Sequence, residues 1–250
     1  MAFPFTVHLG YGQEKVETST QKQKLGTRAV TPDGRVFYYA ENSGTAITTA
    51  GQLVDGIAAV GAHDGDLATA ALAAGSLTVT TTTSLTVTKD QYKDGYLFIN
   101  DNAAQGEVYR FKSNTAVSSA AGLEIRLDEP DGIRTAFTTS TQFGLMYPPY
   151  KDIKLMDNDG TMTTGPLGVT TIAVTADYFC WIQTAGPAAV LSGAATFVVG
   201  DAVGISKADE NGAIDLWDAS TEEDSRPIGT SMGVVSVDTE YGWVMLAIRD

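Results

Sequence analysis

Hydrophobic and polar residues alternate along much of the chain, and the alternation comes in short stretches. In one threonine-rich stretch, Leu77, Val79, Leu85 and Val87 alternate with threonine. Successive side chains of a β-strand point to opposite faces of the sheet, so a period of two predicts a strand with one buried face. Residues 123–127 alternate in the same way, which predicts that their two leucines and their isoleucine point inward.

Turn-forming residues separate the alternating stretches. The sequence Thr-Pro-Asp-Gly at positions 31–34 is a strong turn signal. Proline fixes φ at the second turn position, aspartate can bond its own backbone, and glycine accepts the exit geometry. Residues 35–40 then supply Val, Phe and two Tyr, which favour a pleated surface. Residues 25–54 therefore predict a strand, a tight turn, a second strand, a loop and the start of a third strand.

Other stretches along the chain also have sequences that are typical of short strands. Residues 66–75, rich in Ala and Leu, suit either strands or a short helix that Gly75 would end. Further strands are predicted at residues 96–99, 107–112, 170–175, 178–182, 196–199, 233–237 and 242–248. Short strands joined by turns predict an all-β fold, made of short-stranded sandwich or barrel modules with an extended N-terminal arm.

The predicted organisation has three parts. Residues 1–24 form the extended N-terminal arm, because residues 13–24 are polar and bury little surface alone. The arm is either ordered by contact with a neighbour or with the main body, or it is a frayed terminus. Residues 25–146 form a β-rich domain and residues 147–250 a second β-rich module. The boundary is placed at the two prolines of residues 147–150, which stiffen a connection and cannot donate to a β-ladder.

Charge narrows the choice of partners. The chain has 250 residues, of which 43% are hydrophobic, so it can bury a real core. With 30 acidic and 16 basic residues, the formal net charge is −14. Nucleic acid is not a predicted partner, because backbone phosphates require a basic face. A strongly acidic surface also favours mutual repulsion between molecules.

The sequence predicts neither a leader nor a membrane partner. Its N-terminal residues lack a basic region followed by a continuous apolar stretch, and no apolar run is long enough for a membrane-spanning helix. We expect the protein to be made in a cytoplasm. The single cysteine, Cys180, lies in an apolar run and is expected to be a small buried side chain.

Catalytic and metal-binding patterns are weak. The chain has two histidines, His8 and His63, and no Gly-x-Ser-x-Gly motif; His63 is interpreted as an exposed turn residue. Neither a cysteine pair nor a zinc-binding histidine spacing is present. The acidic residues at 157–160 and 215–224 are interpreted as solvated turns and loops. The sequence therefore predicts no enzyme, no metal site and no cofactor.

Aromatic residues in the predicted strands have two interpretations. Tyr38, Tyr39, Tyr92 and Tyr96 either fill a core or an interface, or are exposed and stack on a sugar. The first interpretation is favoured.

Several stretches resemble virion structural proteins of tailed bacteriophages. The resemblance covers most of the chain from about residue 25 onward, and it is carried by residues 26–39, 92–100, 106–114 and 176–190. Near the C-terminus, residues 199–204 and 227–233 and the apolar strand that closes the chain are similar to the β-rich body of lambda-like capsid decoration proteins.

The resemblance implies a structural role on the outer capsid surface of a virion. Capsid decoration (cement) proteins cap local threefold junctions of the head, usually as homotrimers, and an N-terminal arm commonly reaches onto the shell or a neighbouring subunit. The implied partners are the major capsid protein and further copies of the chain. The candidate residues for these contacts lie in the arm: Phe3, Phe5, Tyr11, Lys15, Lys22 and Lys24.

Two alternatives stay open. A tail or fibre-associated virion protein that binds a host glycan also uses Thr- and Gly-rich sheets, although the long repeats or heptads expected of a trimeric fibre are missing. A depolymerase is the third hypothesis, and the shortage of histidine counts against it. The decoration hypothesis predicts that removal of residues 1–24 leaves a folded β protein that no longer adds to heads.

Overall fold

The computed structural model describes residues 6–84, 86–118, 122–158, 162–193, 196–206, 210–218, 226–235 and 237–249, and these residues form an almost entirely β structure. The predicted all-β fold class is confirmed. The chain divides into two compact units. Unit 1 comprises Met1–Ile57 and Pro149–Asp250, and unit 2 comprises Ala58–Pro148.

The described residues of unit 1 contain eleven strands and one 3₁₀ helix, Gln13–Lys15. The strands before the unit 2 segment are β1 (Thr6–His8), β2 (Arg28–Val30), β3 (Val36–Glu41) and β4 (Leu53–Asp55). The described part of unit 2 contains the 3₁₀ helix Gly61–His63 and six strands: β5 (Leu67–Ala68), β6 (Thr78–Thr82), β7 (Tyr96–Asp101), β8 (Val108–Asn114), β9 (Gly122–Leu127) and β10 (Gln142–Met146). Unit 1 then continues with β11 (Lys154–Leu155), β12 (Gly168–Thr170), β13 (Phe179–Leu191), β14 (Ala202–Ile205), β15 (Ile214–Leu216), β16 (Gly229–Ser231) and β17 (Tyr241–Ala247).

Strand β13 is the central strand of the unit 1 sheet. Its first half pairs antiparallel with β3, from Phe179 opposite Glu41 to Ala185 opposite Val36. Its second half pairs antiparallel with β17. The described strands follow the order β1-β2-β3-β13-β17-β16-β14-β15, while β12 pairs with both β13 and β4, and β4 also pairs with β11.

The division into units differs from the predicted domains. Residues 25–57 belong with residues 149–250, whereas the prediction grouped residues 25–146 together. The cause is the pairing of β3 with β13, which joins segments that are far apart in sequence. The predicted connection at residues 147–150 does coincide with an edge of unit 2, which ends at Pro148.

The predicted turn at residues 31–34 is present between β2 and β3. The Gly34 backbone N–H donates to the Thr31 carbonyl oxygen at 2.9 Å, which closes the turn. Arg28, Ala29 and Val30 then pair antiparallel with Tyr38, Phe37 and Val36. This local element follows from its turn chemistry.

The N-terminal segment packs against its own unit over residues 6–24. Strand β1 pairs parallel with β2, and Leu9 is buried in a cluster with Phe37 and Trp181. Glu14 is buried and forms an ion pair with Arg35, with Glu14 Oε1 3.3 Å from Arg35 Nη2. Of the predicted alternatives for the arm, contact with the main body therefore describes these residues. The sequence predicted that a chain without residues 1–24 stays folded. This expectation needs correction, because residues 6–24 contribute buried side chains to the core of unit 1.

We expect deletion of residues 1–24 to destabilise unit 1. Leu9→Ala alone should lower the free energy of unfolding by about 2–5 kcal/mol, because it removes a buried side chain and leaves a cavity. The deletion should lower it further, since it also removes β1 and Glu14. Chemical denaturation checks both variants. Lys22→Ala, at an exposed position, is the control, and an unchanged transition in the deletion variant would contradict this role.

The unit 2 sheet is a nearly closed barrel. Its described strands follow the order β5-β10-β7-β8-β9-β6, and a bridge between Thr69 and Thr81 links the two ends. The Thr81 hydroxyl also donates to the Ala68 carbonyl oxygen at 2.6 Å. The predicted strand pattern of residues 123–127 is confirmed, because the side chains of Leu123, Ile125 and Leu127 are all buried.

Residues 66–75 form no helix. Leu67–Ala68 is a strand, and Thr69 and Leu72 form isolated bridges with Thr81 and Phe137. The helical alternative is wrong here because a short Ala-rich run gains little from its own propensity, whereas pairing with neighbouring strands satisfies its backbone. In the predicted alternation of residues 77–87, Val79 and Val87 are buried, whereas Leu77 is exposed, so the prediction is wrong at that position. Leu85 lies outside the described residues.

The interpretation of His63 as an exposed turn residue is wrong. Its side chain is buried at the end of the 3₁₀ helix Gly61–His63. Nδ1 lies 2.6 Å from the Tyr92 hydroxyl oxygen, and Nε2 lies 2.5 Å from Thr83 Oγ1. Burial lowers the pKa of His63 below its usual value. The local sequence has the composition of a turn, but the partners that bury the ring are 20 and 29 residues away.

The stability of unit 2 should therefore fall in mild acid. Because the folded-state pKa of His63 lies below its unfolded value of 6.5, the unfolded state binds more protons as pH falls through that value. The stabilisation is fully present above the unfolded pKa. It is lost as pH falls from there toward the folded pKa, by at most about 1.4 kcal/mol per pH unit.

His63→Gln isolates this contribution, since an amide can still bond Tyr92 and Thr83 but does not titrate. Urea denaturation followed by tyrosine fluorescence from about pH 7 to about pH 5 should give a shallower loss of stability in the variant. Equal pH dependence in the two proteins would rule out His63 as the titrating group.

Candidate binding surface

Strand β17 exposes large apolar side chains on one of its faces. Tyr241, Trp243 and Met245 point outward, with exposed fractions of 47%, 61% and 41%. Val244 and Leu246 alternate with them and are buried. The strand therefore contributes hydrophobic residues to both faces of the sheet, and only the inner set is covered by this chain.

The exposed set continues onto the segment that follows the neighbouring strand, β16. Thr230 on β16 is the register partner of Met245, and the backbone N–H of Met232 donates to the Trp243 carbonyl oxygen at 2.8 Å. Met232 and Val234 are exposed, Val234 by 67%. We call Met232, Val234, Tyr241, Trp243 and Met245 the β17 face. It offers on the order of 500 Å² of mostly apolar surface, at the upper end for a single patch on a monomeric protein.

A groove of about 430 Å³ lies beside the β17 face. We call it the Trp243 groove and define it by Trp243 and Tyr241 on one side, Pro187 and Ala189 of β13 along its floor, and Arg35 and Lys15 at its other end. Ala189 pairs with Trp243 and Pro187 pairs with Met245. Since cross-strand partners share a sheet face, these small floor residues leave the indole standing above them.

Gly51 fixes the position of Tyr241. The Tyr241 hydroxyl donates to the Ala50 carbonyl oxygen at 3.0 Å, and the Leu191 backbone N–H donates to the Gly51 carbonyl oxygen at 2.8 Å. Gly51 has a φ of +74°, and a Cβ atom there would lie 2.6 Å from Tyr241 Cε1 and 2.9 Å from the Ala189 carbonyl oxygen. Glycine is therefore required by both the backbone conformation and the close approach of the tyrosine ring.

The far end of the groove is polar, and its Arg35 is paired with two carboxylates. Arg35 Nε lies 2.8 Å from Asp33 Oδ2, and Arg35 Nη2 lies 3.3 Å from Glu14 Oε1. The Thr31 hydroxyl donates to Asp33 Oδ1 at 2.5 Å. This hydroxyl, followed by the Arg35 guanidinium, lowers the pKa of Asp33, so the carboxylate remains ionised at neutral pH.

The candidate contact residues of the N-terminal arm are only partly brought to this surface. Lys15 lines the Trp243 groove. Tyr11, Lys22 and Lys24 are exposed but do not line it. Phe3 and Phe5 lie outside the described residues.

The four tyrosines considered for sugar stacking do not form this surface. Tyr38, Tyr39 and Tyr92 are buried, as the core-filling interpretation predicts, and Tyr96 is half-buried. Tyr38, for example, stacks on Tyr150 with ring centroids 5.0 Å apart. Tyr241 and Trp243 were not among the predicted contact residues, although their period-two spacing in residues 241–247 indicates a strand with an aromatic face.

The remaining polar residues give no assembled reactive site within the described parts of the chain. Burial raises the pKa of the Cys180 thiol to about 12, and the thiol is buried as expected. Asp157 pairs with Lys154, whose Nζ lies 2.6 Å away, whereas Asp159 and Gly160 lie outside the described residues. Over the described ranges, no group of three His, Cys, Asp or Glu side chains is placed to hold a metal ion.

The described residues also contain no helix that is long and apolar enough to cross a membrane. Comparisons with protein family models, curated proteins and solved structures gave no match to this chain.

We expect Gly51→Ala to displace Tyr241 and destabilise unit 1 by more than about 1 kcal/mol, since alanine is strained at positive φ and its methyl group clashes with the ring. Gly12→Ala is a matched control, because Gly12 has a φ of +91° but its Cβ would meet nothing within 4 Å. The difference between the two variants in chemical denaturation measures the packing contribution. Equal losses would mean that the contact with Tyr241 contributes nothing.

Proposed function

We propose that the protein is a structural component of a tailed-phage particle that decorates the outer surface of the head and stabilises the shell. The observation that carries the proposal is the β17 face, which is hydrophobic, extends from β17 to the segment after β16 and is not covered by the described residues. Large exposed apolar patches of this kind are typical of protein interaction sites. The resemblance of the sequence to decoration proteins supplies the partner, the major capsid protein.

The size of the β17 face suits a contact that acts in many copies. At about 25 cal/mol per Å², burial of on the order of 500 Å² gives roughly 12 kcal/mol before costs are subtracted. Association costs about 4–15 kcal/mol in lost rigid-body freedom. One face alone therefore binds weakly, and several linked copies bind much more strongly through multivalency. A homotrimer on a symmetric shell would provide this arrangement.

The lack of charged residues on the β17 face supports its burial in a contact with another protein. The five residues of the β17 face carry no charge, whereas the chain as a whole carries −14. Burying the face desolvates no ionised side chain of these five, so the large penalty for burying a charge is avoided there. The acidic residues elsewhere oppose unspecific association of the free protein.

The proposal moves the main contact away from the predicted arm residues. Lys15 is at the Trp243 groove, but Tyr11, Lys22 and Lys24 are not part of the β17 face. These residues are therefore secondary candidates for contacts with the shell or with another copy, and the β17 face becomes the first target for mutation.

Cryo-electron microscopy of undecorated, expanded heads of the encoding phage, incubated with the purified protein, tests the proposal. We expect density at the local threefold positions. Met245→Glu should weaken binding at least about tenfold, because a carboxylate in the contact loses about 1.4 kcal/mol or more. A wild-type protein that leaves heads bare, or a Met245→Glu protein that binds as tightly as wild type, would overturn the proposal.

Val108→Glu is the matched control for Met245→Glu. Val108 is also an exposed apolar residue on a strand, β8, but it belongs to unit 2 and not to the β17 face. Like Met245→Glu, the Val108→Glu substitution places a glutamate, with its negative charge and its β-strand propensity, at an exposed strand position. Its binding to heads should equal that of wild type, and equal weakening in both variants would point to a general charge effect.

A further inference from the structure

We propose that the Trp243 groove is a saccharide-binding site. This inference goes beyond the proposed contact with a phage head, because it concerns a different class of ligand, which would bind in the groove that shares Tyr241 and Trp243 with the β17 face. Three properties of the groove carry it: an exposed aromatic side, a floor of small residues, and a polar end where Arg35 is already paired with two carboxylates.

The aromatic side offers a stacking surface. Trp243 is 61% exposed, and Tyr241 stands beside it, held by the hydrogen bond to the Ala50 carbonyl oxygen. One face of a pyranose ring carries C–H groups with small positive partial charges. These groups are attracted to the negative face of an aromatic ring.

The aromatic side and the polar end of the groove lie at different positions along β13. A Cβ atom at Gly186 would lie 3.1 Å from Arg35 Cγ and 3.3 Å from Arg35 Cα, so Arg35 lies beside Gly186 of β13. Ala189, three residues further along β13, pairs with Trp243. At the usual rise of a strand, the two ends of the groove are roughly 10 Å apart. A groove of about 430 Å³ is within the usual size of small-ligand sites.

The polar end offers hydrogen bonds without a strong net charge. The charged residues that line this end are Lys15, Arg35 and Asp33. With the buried Glu14, which pairs with Arg35 but does not line the groove, their formal charges sum to zero. Arg35 is held by both carboxylates, so a phosphate would have to compete with two existing ion pairs. A neutral ligand with many hydroxyl groups faces no such competition, and it can accept from Arg35 and donate to Asp33.

These features favour a saccharide over the other classes of ligand. A purely apolar ligand would leave the Asp33 and Arg35 groups desolvated without new partners, which is costly. A nucleic acid would meet too little positive charge. A sugar matches both ends, since it has an apolar C–H face and a rim of hydroxyls.

The test uses the full chain on an array of neutral oligosaccharides that includes maltopentaose, cellopentaose and chitopentaose. At least one saccharide should bind, and calorimetry should give a Kd of about 1 mM or tighter. Trp243→Ala should weaken that binding at least about tenfold. Trp243→Phe, which keeps an aromatic ring, should lose less. Asp33→Asn should also weaken binding, because it removes an ionised acceptor.

The outcomes separate the groove from the rest of the molecule. Val108→Glu, in unit 2, should bind the saccharide like wild type. Failure of every arrayed saccharide to bind, or unchanged binding by Trp243→Ala, would overturn the proposal. If Trp243→Ala instead dissociates an oligomer while wild type binds no saccharide, the groove is a protein interface. No head is present in these experiments, so their failure does not affect the proposed role in decoration.

Discussion

The pairing of β13 with two strands at once is the interaction on which unit 1 depends. Its first half bonds to β3 and its second half to β17, and Ala185 pairs with both, with Val36 of β3 and with Ala247 of β17. This arrangement brings Arg35, which directly precedes β3, and Trp243 of β17 to one stretch of β13. The groove is therefore a direct consequence of the sheet order, because neither neighbour of β13 alone would form two sides.

Local features of this fold were predictable because short-range chemistry determines them. The turn at residues 31–34 follows from proline, aspartate and glycine in the right order, and its hydrogen bond is present. The inward set of β9 follows from strict alternation, and Cys180 is buried because its neighbours are apolar. In each case, the residues that decide the outcome lie within a few positions of each other in sequence.

Features that depend on distant partners were not predictable in the same way. His63 has polar neighbours in sequence, yet the barrel of unit 2 brings Thr83 and Tyr92 to its two ring nitrogens. The assignment of residues 25–57 to unit 1 likewise depends on β3 finding β13, more than a hundred residues later. Sequence periodicity shows that a strand has a buried face, but it does not show which strand will lie beside it.

In strand β17, the pattern of hydrophobic residues does not predict which face is buried. Its two faces carry Tyr, Trp and Met on one side and Gly, Val and Leu on the other, so hydrophobicity does not tell which side is inside. The structure explains the choice through size. A Cβ atom at Gly242 would lie 2.8 Å from Val235 Cγ2 and 3.2 Å from the Phe197 ring, so the inner side has no room for a large residue at this position. The bulky side chains are consequently placed outside.

The exposed face and the acidic charge have opposing effects on association. An uncovered hydrophobic surface promotes association with any apolar partner, whereas a net charge of −14 opposes the approach of other copies. Charge repulsion between exposed groups is screened over about 8–10 Å at ordinary ionic strength, while apolar contact acts only at close range. A partner that presents a neutral, matching surface escapes most of this repulsion. The combination therefore favours a specific docking surface over general adhesion, and it leaves the adjoining groove accessible until such a partner is bound.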